Sequence, residues 1–289
     1  MTDVVTTINL AAIYGLIGVG ISLTWAGLGF LNLAHGVTFA AGLYGAWWAQ
    51  ENISDHPSVI FLGGIVVGAI AGTVVWLSVF VPLDGKPNWD TRSIVASLGL
   101  AIIGVNTYFL VFGPQRKAIE YLFGTTKFKL AGSTITADKS GAIISASVVM
   151  LLVVVALVRS RIGLGVRALT QNPEGAALVG IGRRQAAFAI LAVSGALAGF
   201  AAVLLSQVFY PEPNIGYLPL LKGLIVALLG GLGSIPGAVI AAFMVGATEA
   251  VTAHYLDQSW VLLTQFGLIA IVLLVRPRGV AGILEASRA

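Results

Sequence analysis

Residues 4–50 read VVTTINLAAIYGLIGVGISLTWAGLGFLNLAHGVTFAAGLYGAWWAQ and contain no Asp, Glu, Lys or Arg. A helix needs about 20 apolar residues to cross the hydrocarbon core of a bilayer. The stretch is too long for one such helix, so it reads as two membrane segments, near Thr7–Leu28 and Leu33–Gln50, with Gly29, Asn32 and Gly36 between them. Only Asp3 precedes it in charge. The basic region that opens a cleaved signal peptide is lacking, so the first segment is expected to be a retained span.

The same pattern continues along the chain. Further apolar segments lie at Ser58–Leu83, Ser93–Gly113, Gly141–Val158, Gln185–Phe209, Tyr217–Val251 and Gln258–Val275. The expected fold is therefore all-α: a polytopic integral membrane protein with about eight membrane segments. It reads as one transmembrane domain over residues 1–289, with an extracytoplasmic insert at about 114–140 and a cytoplasmic loop at about 159–184. Within the insert, Lys127, Lys129, Thr134 and Thr136 alternate with apolar residues, which predicts a small β-hairpin.

Composition agrees with a membrane setting. Of the 289 residues, 57% are hydrophobic and 10% charged, where soluble domains carry about 25% charge. There is no cysteine, which excludes disulfides, thiolate metal sites and thiol nucleophiles. His35, His56 and His254 are scattered, so no metal site is expected. The formal charge of +4 is attributed to basic cytoplasmic loops rather than to nucleic-acid binding. Residues 159–184 hold five arginines against Glu174, and the tail holds Arg276, Arg278 and Arg288, so both are placed inside. The acidic loop Glu51–Pro57 is placed outside. Residues 114–140 also fall outside, despite five basic residues. These placements agree only if Tyr217–Val251 crosses twice or re-enters. The side of the N-terminus stays open.

Glycines recur at four-residue spacing, as Gly64, Gly68 and Gly72 and again as Gly195 and Gly199. Small faces of this kind let helix backbones approach closely in lipid. Intramolecular packing is the main reading, and a subunit interface the other.

Three places carry chemistry. At Asn32-Leu33-Ala34-His35-Gly36, polar residues stand between two apolar segments. Irregular backbone at that depth must be buried by protein or must line a wet cavity, so Asn32 and His35 either cap helix ends or line a solute path. The second place lies in the cytoplasmic loop. Asn172 suits an N-cap, Pro173 a first helical position, and Glu174 the positive helix end. With Ala177 inside and Gly180 ending it, this is a helix of about two turns. It is too short to stand alone and must dock. The third is the break Gly230–Gly237, containing Gly233, Ser234 and Pro236. Interrupted spans point to a substrate path near the midplane, and a plain kink is the competing reading. Glu249 reads either as an intramembrane carboxylate or as an interfacial one. No phosphate-binding Gly-x-x-x-x-Gly-Lys-Ser/Thr loop occurs, so ATP is not hydrolysed on this chain. The spans show almost no charge, which argues against an ion-coupled carrier.

Together these places resemble the permeases of ABC importers for branched-chain amino acids (Leu/Ile/Val type), and among them the smaller permease type. The resemblance rests on Gly29-Phe30-Leu31-Asn32-Leu33-Ala34-His35-Gly36, Arg167-Ala168-Leu169 with Asn172-Pro173-Glu174 and Gly180-Ile181, Gly230-Gly231-Leu232-Gly233-Ser234, and Arg276-Pro277-Arg278-Gly279. It implies a permease subunit of a bacterial inner-membrane transporter rather than an enzyme, with no cofactor of its own. ATP and Mg would be held by two separate cytoplasmic ATPase subunits, which dock on the coupling segment Asn172, Pro173, Glu174, Ala177 and Gly180. A second homologous permease chain and an extracytoplasmic solute-binding protein complete the implied system. Asn32, His35, Gly36, Gly233 and Ser234 are the expected path residues. Gly175 stands where the family often has Ala, which weakens the coupling helix. Permeases for urea, short-chain amides or simple sugars share the superfamily. An ion-coupled carrier, a channel or a membrane scaffold are readings of other classes.

Overall fold

A computed structural model describes residues 2–120, 122–124, 126–130, 133–171, 173–207 and 210–282. Helix α1 (Thr2–Leu28) is followed by irregular chain and then α2 (His35–Asn52). His56 caps α3 (Pro57–Val75), accepting from Ser58 N–H. A π-helical stretch (Trp76–Phe80) and α4 (Val81–Leu83) extend it without a break in direction. Next come α5 (Trp89–Phe112), the hairpin β1 (Lys127–Leu130) with β2 (Ser133–Thr136), and α6 (Ala137–Arg159). Lys127 pairs with Thr136 and Leu130 with Ser133 in antiparallel register, as the alternation predicts. After α6 come α7 (Arg161–Gln171), α8 (Pro173–Leu178) and α9 (Arg183–Leu205). The chain ends with α10 (Tyr217–Gly230), α11 (Ile235–Tyr255) and α12 (Val261–Val275).

Among the described residues, seven helices are long and apolar enough to cross a membrane. The less apolar α2, of 18 residues, and the shorter α10 are packed among them. The protein is thus an all-α polytopic membrane protein. Tyr217–Val251 is neither a single span nor a kinked one. Gly230 abuts Gly237, and Lys222 meets Glu249, so α10 and α11 lie side by side in opposite directions. Gly231 and Gly233 take positive φ angles of 94° and 85° at the turn, where a side chain would strain the backbone. At 14 residues α10 is about 21 Å long, too short to span the hydrocarbon by itself.

Two ends of the bundle are distinguishable. At one, Arg183 pairs with Asp84 at 3.1 Å, and the tail folds back so that Val280 and Ala281 donate to the carbonyls of Leu229 and Gly230. At the other, Glu120 N–H donates to Gln50 and Arg116 pairs with Glu212. Residues 51–57 and 114–120 therefore share an end, opposite to the arginine-rich loop. α1 descends from the hairpin end: Ala11 lies beside Gly246 of α11, and Gly27 beside Ile190 near the start of α9. That gives the start of α1 the same side as residues 51–57, the point the charge pattern leaves open.

The glycine spacing works within the chain. Gly68 faces the Gly195 carbonyl, Gly199 faces the Gly64 carbonyl, and Gly42 lies against Gly199. Helices α2, α3 and α9 thus meet backbone to backbone. A second group, α1, α10, α11 and α12, packs beside them.

Candidate functional site

Between α1 and α2 the chain leaves the helical pattern inside the bundle, and several of the freed polar groups find side-chain partners. The Trp89 indole N–H donates to the Leu28 carbonyl at 3.2 Å. Leu33 N–H donates to Ser97 Oγ, and Ala34 N–H to Asn32 Oδ1, both at 3.1 Å. Phe30, Asn32 and Ala34 are buried, so the irregular backbone is shielded by protein. Asn32 Oδ1 thus closes a local turn just ahead of α2, whose N-cap position is Ala34. His35, at the first turn of α2, is buried as well. Its Nδ1 lies 3.4 Å from Ser194 Oγ, and Thr24 Oγ1 donates to the same serine. His35 Nε2 has no partner among the described residues.

A groove of about 630 Å³ opens beside this break. One wall is Leu33, Gly36 and Val37, a second is Leu98, Ala101, Ile102 and Val105 of α5, and the third is the start of α10 with Leu221 and Leu224. Only Asn214 and Tyr217 among its lining side chains are polar. Gly36 packs directly on the Gly216 backbone, which brings α2 and α10 together at the floor. Of the five expected path residues, the groove is lined by Gly36 alone. Asn32 and His35 are turned into the protein. Ser234 caps α11 by accepting from Gly237 N–H at 3.1 Å, and Gly233 lies beside Trp25 and Ala26.

The expected coupling segment falls on one short helix, α8, and a further helix, α7, precedes it. Asn172 lies outside the described residues, and the backbone of Pro173 and Glu174 is helical in α8. Gly180 takes φ 82°, its N–H donates to Ala177, and Ile181 N–H donates to Ala176. This left-handed cap ends the helix as the glycine predicts. It leaves Leu178 and Val179 89% and 75% exposed at the tip. Before it, α7 buries Val166 and Leu169 against α1, α6 and α9.

The sequence reading missed one polar cluster. Lys222 Nζ donates to Glu249 Oε2 at 2.6 Å and to Gln265 Oε1 at 2.8 Å. Gln265 donates to the same carboxylate at 3.1 Å, and the Tyr14 hydroxyl donates to its other oxygen at 3.1 Å. All four are buried, and they tie α10 to α11, α12 and α1. Glu249 is thus an interior carboxylate, not an interfacial one. The signal was present: Lys222 is the single Lys or Arg between Arg184 and Arg276.

The family described as branched-chain amino acid transport system / permease component matches residues 4–274. The chain is 28% identical to the high-affinity branched-chain amino acid transport system permease protein BraD of Pseudomonas aeruginosa, over 100% of this chain and 97% of that protein. It is 27% identical to the Escherichia coli permease protein LivH, covering 97% and 95% of the two. A probable LivH permease of Methanocaldococcus jannaschii is 26% identical over 93% and 88%. By the extent of the family match, which runs through every element from α1 to α12, this chain belongs to the branched-chain amino acid transport system permease family.

Proposed function

We propose that this chain is the transmembrane subunit of an ATP-driven importer in a bacterial inner membrane. With a second, homologous permease it forms the path for branched-chain amino acids. ATP is hydrolysed on two separate cytoplasmic subunits, and an extracytoplasmic binding protein delivers the solute. The observation that carries the reading is the groove beside the α1–α2 break. Its walls are aliphatic and uncharged, which suits an aliphatic side chain, and it exposes no fixed charge that would hold a zwitterion tightly. A path needs such weak contact, because the solute must leave again.

The loop end supports the coupling role. Leu178 and Val179 are presented on a capped helical turn. Exposed apolar groups on a six-residue helix call for a partner surface, since so short a helix is not stable by itself. ATPase subunits that close on binding ATP would displace this turn, and α7 would pass the displacement into α1 and α9.

The test is purification of the tagged chain from its native membranes, followed by mass spectrometry and reconstitution into vesicles. An ATPase and a second permease should copurify, and Leu178→Asp should release the ATPase while keeping the permease. ATP-dependent uptake of labelled leucine should be competed by isoleucine and valine, and not by urea or ribose. Purification of the chain alone would remove the importer reading. Competition by urea or ribose would keep it and change the solute.

A further inference from the structure

Trp89 stands at the first turn of α5, and no sequence motif draws attention to it. Four chain segments converge on its ring. Its indole N–H satisfies the Leu28 carbonyl, left open where α1 ends. Phe30, inside the α1–α2 break, meets the ring edge to face at 5.4 Å, and Phe80 of the π-helical stretch does the same at 5.2 Å. The Arg183 guanidinium lies 5.5 Å from the Trp89 ring and 5.7 Å from Phe80. Arg183 opens α9 immediately after the coupling turn, and it is held by Asp84.

We infer that Trp89 is a positioning residue that transmits movement of the α8–α9 junction to the α1–α2 break, and so to the groove wall at Leu33–Val37. The inference rests on the coupling role proposed above. Two features distinguish this linkage from ordinary packing. The contact to the break is a directed hydrogen bond to the last carbonyl of α1, so the indole fixes where the helix ends. The contact to α9 runs through a cation held over two rings, which ties Trp89 to the residue that moves first if α8 moves. Trp76 offers a built-in comparison. It donates to the Arg184 carbonyl at 3.1 Å and packs on Phe188, at the same end of the bundle, with no hydrogen bond or ring contact to the break among the described residues.

The absence of cysteine makes spin labelling direct. The parent carries labels at Ile102→Cys and Leu221→Cys, on opposite walls of the groove, in the complex purified from native membranes. The label-to-label distance is measured with and without ATP and vanadate, and ATP hydrolysis is followed in the same sample. The expected result is a nucleotide-driven change of distance in the parent and in Trp76→Phe. In Trp89→Ala the change is lost while hydrolysis stays within about twofold, an uncoupling that general loosening would not give. Trp89→Phe keeps a ring and loses the N–H, and should retain a reduced change. If Trp89→Ala does not accumulate, Trp89→Phe with Arg183→Gln decides: their effects on the change should be non-additive. A full change in Trp89→Ala, equal loss in Trp76→Phe, or additive effects of the pair would overturn the inference. No change in the parent would overturn the coupling role itself, and this inference with it.

Discussion

Where α3 crosses α9, backbone lies on backbone: Gly68 and Gly72 face Gly195 and the Leu191 carbonyl, and Gly64 faces Gly199 beside the Val203 side chain. Where α10 meets α1, α11 and α12, three polar side chains, Tyr14, Lys222 and Gln265, donate hydrogen bonds to Glu249. Both regions answer the same difficulty. Lipid tails are as apolar as leucine, so burying leucine does not hold two helices together in a membrane. The glycine region answers with close dispersion contact, which requires shape alone. The polar region answers with charge, which requires every partner to be present. The groove borrows from both: its α2 wall belongs to the glycine trio, and its α10 wall is pinned by Lys222. Each wall therefore has its own anchor.

The contrast can be broken most severely at the charges. Glu249→Leu leaves Lys222 buried without a counter-charge and should cost about 3–5 kcal/mol of stability, read as loss of a monodisperse detergent peak or a large fall in melting temperature. Lys222→Met combined with Glu249→Leu should recover most of it, because neither charge is then orphaned. If the double variant is as unstable as the sum of the single ones, the pair is not acting as a unit. A smaller effect is expected at the glycines. Gly68→Ala pushes a methyl into the Gly195 carbonyl and should cost about 1–3 kcal/mol, whereas Gly99→Ala and Gly267→Ala, with nothing within 4 Å, should leave the melting temperature unchanged or slightly raised. Equal effects at all three positions would show that close approach is not what holds the trio. The smallest change is Ser234→Ala, which removes the cap of α11. A loss of about 1 kcal/mol with leucine uptake intact would separate capping from a role in the path.

Much of this was open to reading from the sequence, for physical reasons that differ by element. The charge-free run of residues 4–50 demands lipid or a protein interior whatever the tertiary structure, so the membrane class was secure. Gly180 and the Lys127–Thr136 alternation are local signals, and local signals survive folding. The α10–α11 turn was harder. Glycines with a Ser-Ile-Pro run serve a kink and a reversal equally well, and contacts across the turn, Gly230 with Gly237 and Lys222 with Glu249, 27 residues apart, decide between them. The same pair was overlooked because each residue was read against its sequence neighbours. Beside His254 and Asp257, Glu249 could be read as interior or interfacial alike. Trp89 gave no signal at all, since its partners come from α1, the π-helical stretch and α9. The path residues divide similarly. Gly36 borders the groove because a glycine is needed where α2 touches Gly216, while Asn32 Oδ1 is engaged by the Ala34 N–H just ahead of α2.

The returning tail has a consequence for how the protein is made. Val280 and Ala281 supply the N–H groups that the final carbonyls of α10 accept, yet α10 ends at Gly230, some 50 residues earlier in the chain. During synthesis the α10–α11 turn is laid down well before its closing residues leave the ribosome. A nascent chain halted after α12 has all its spans and an unfinished turn.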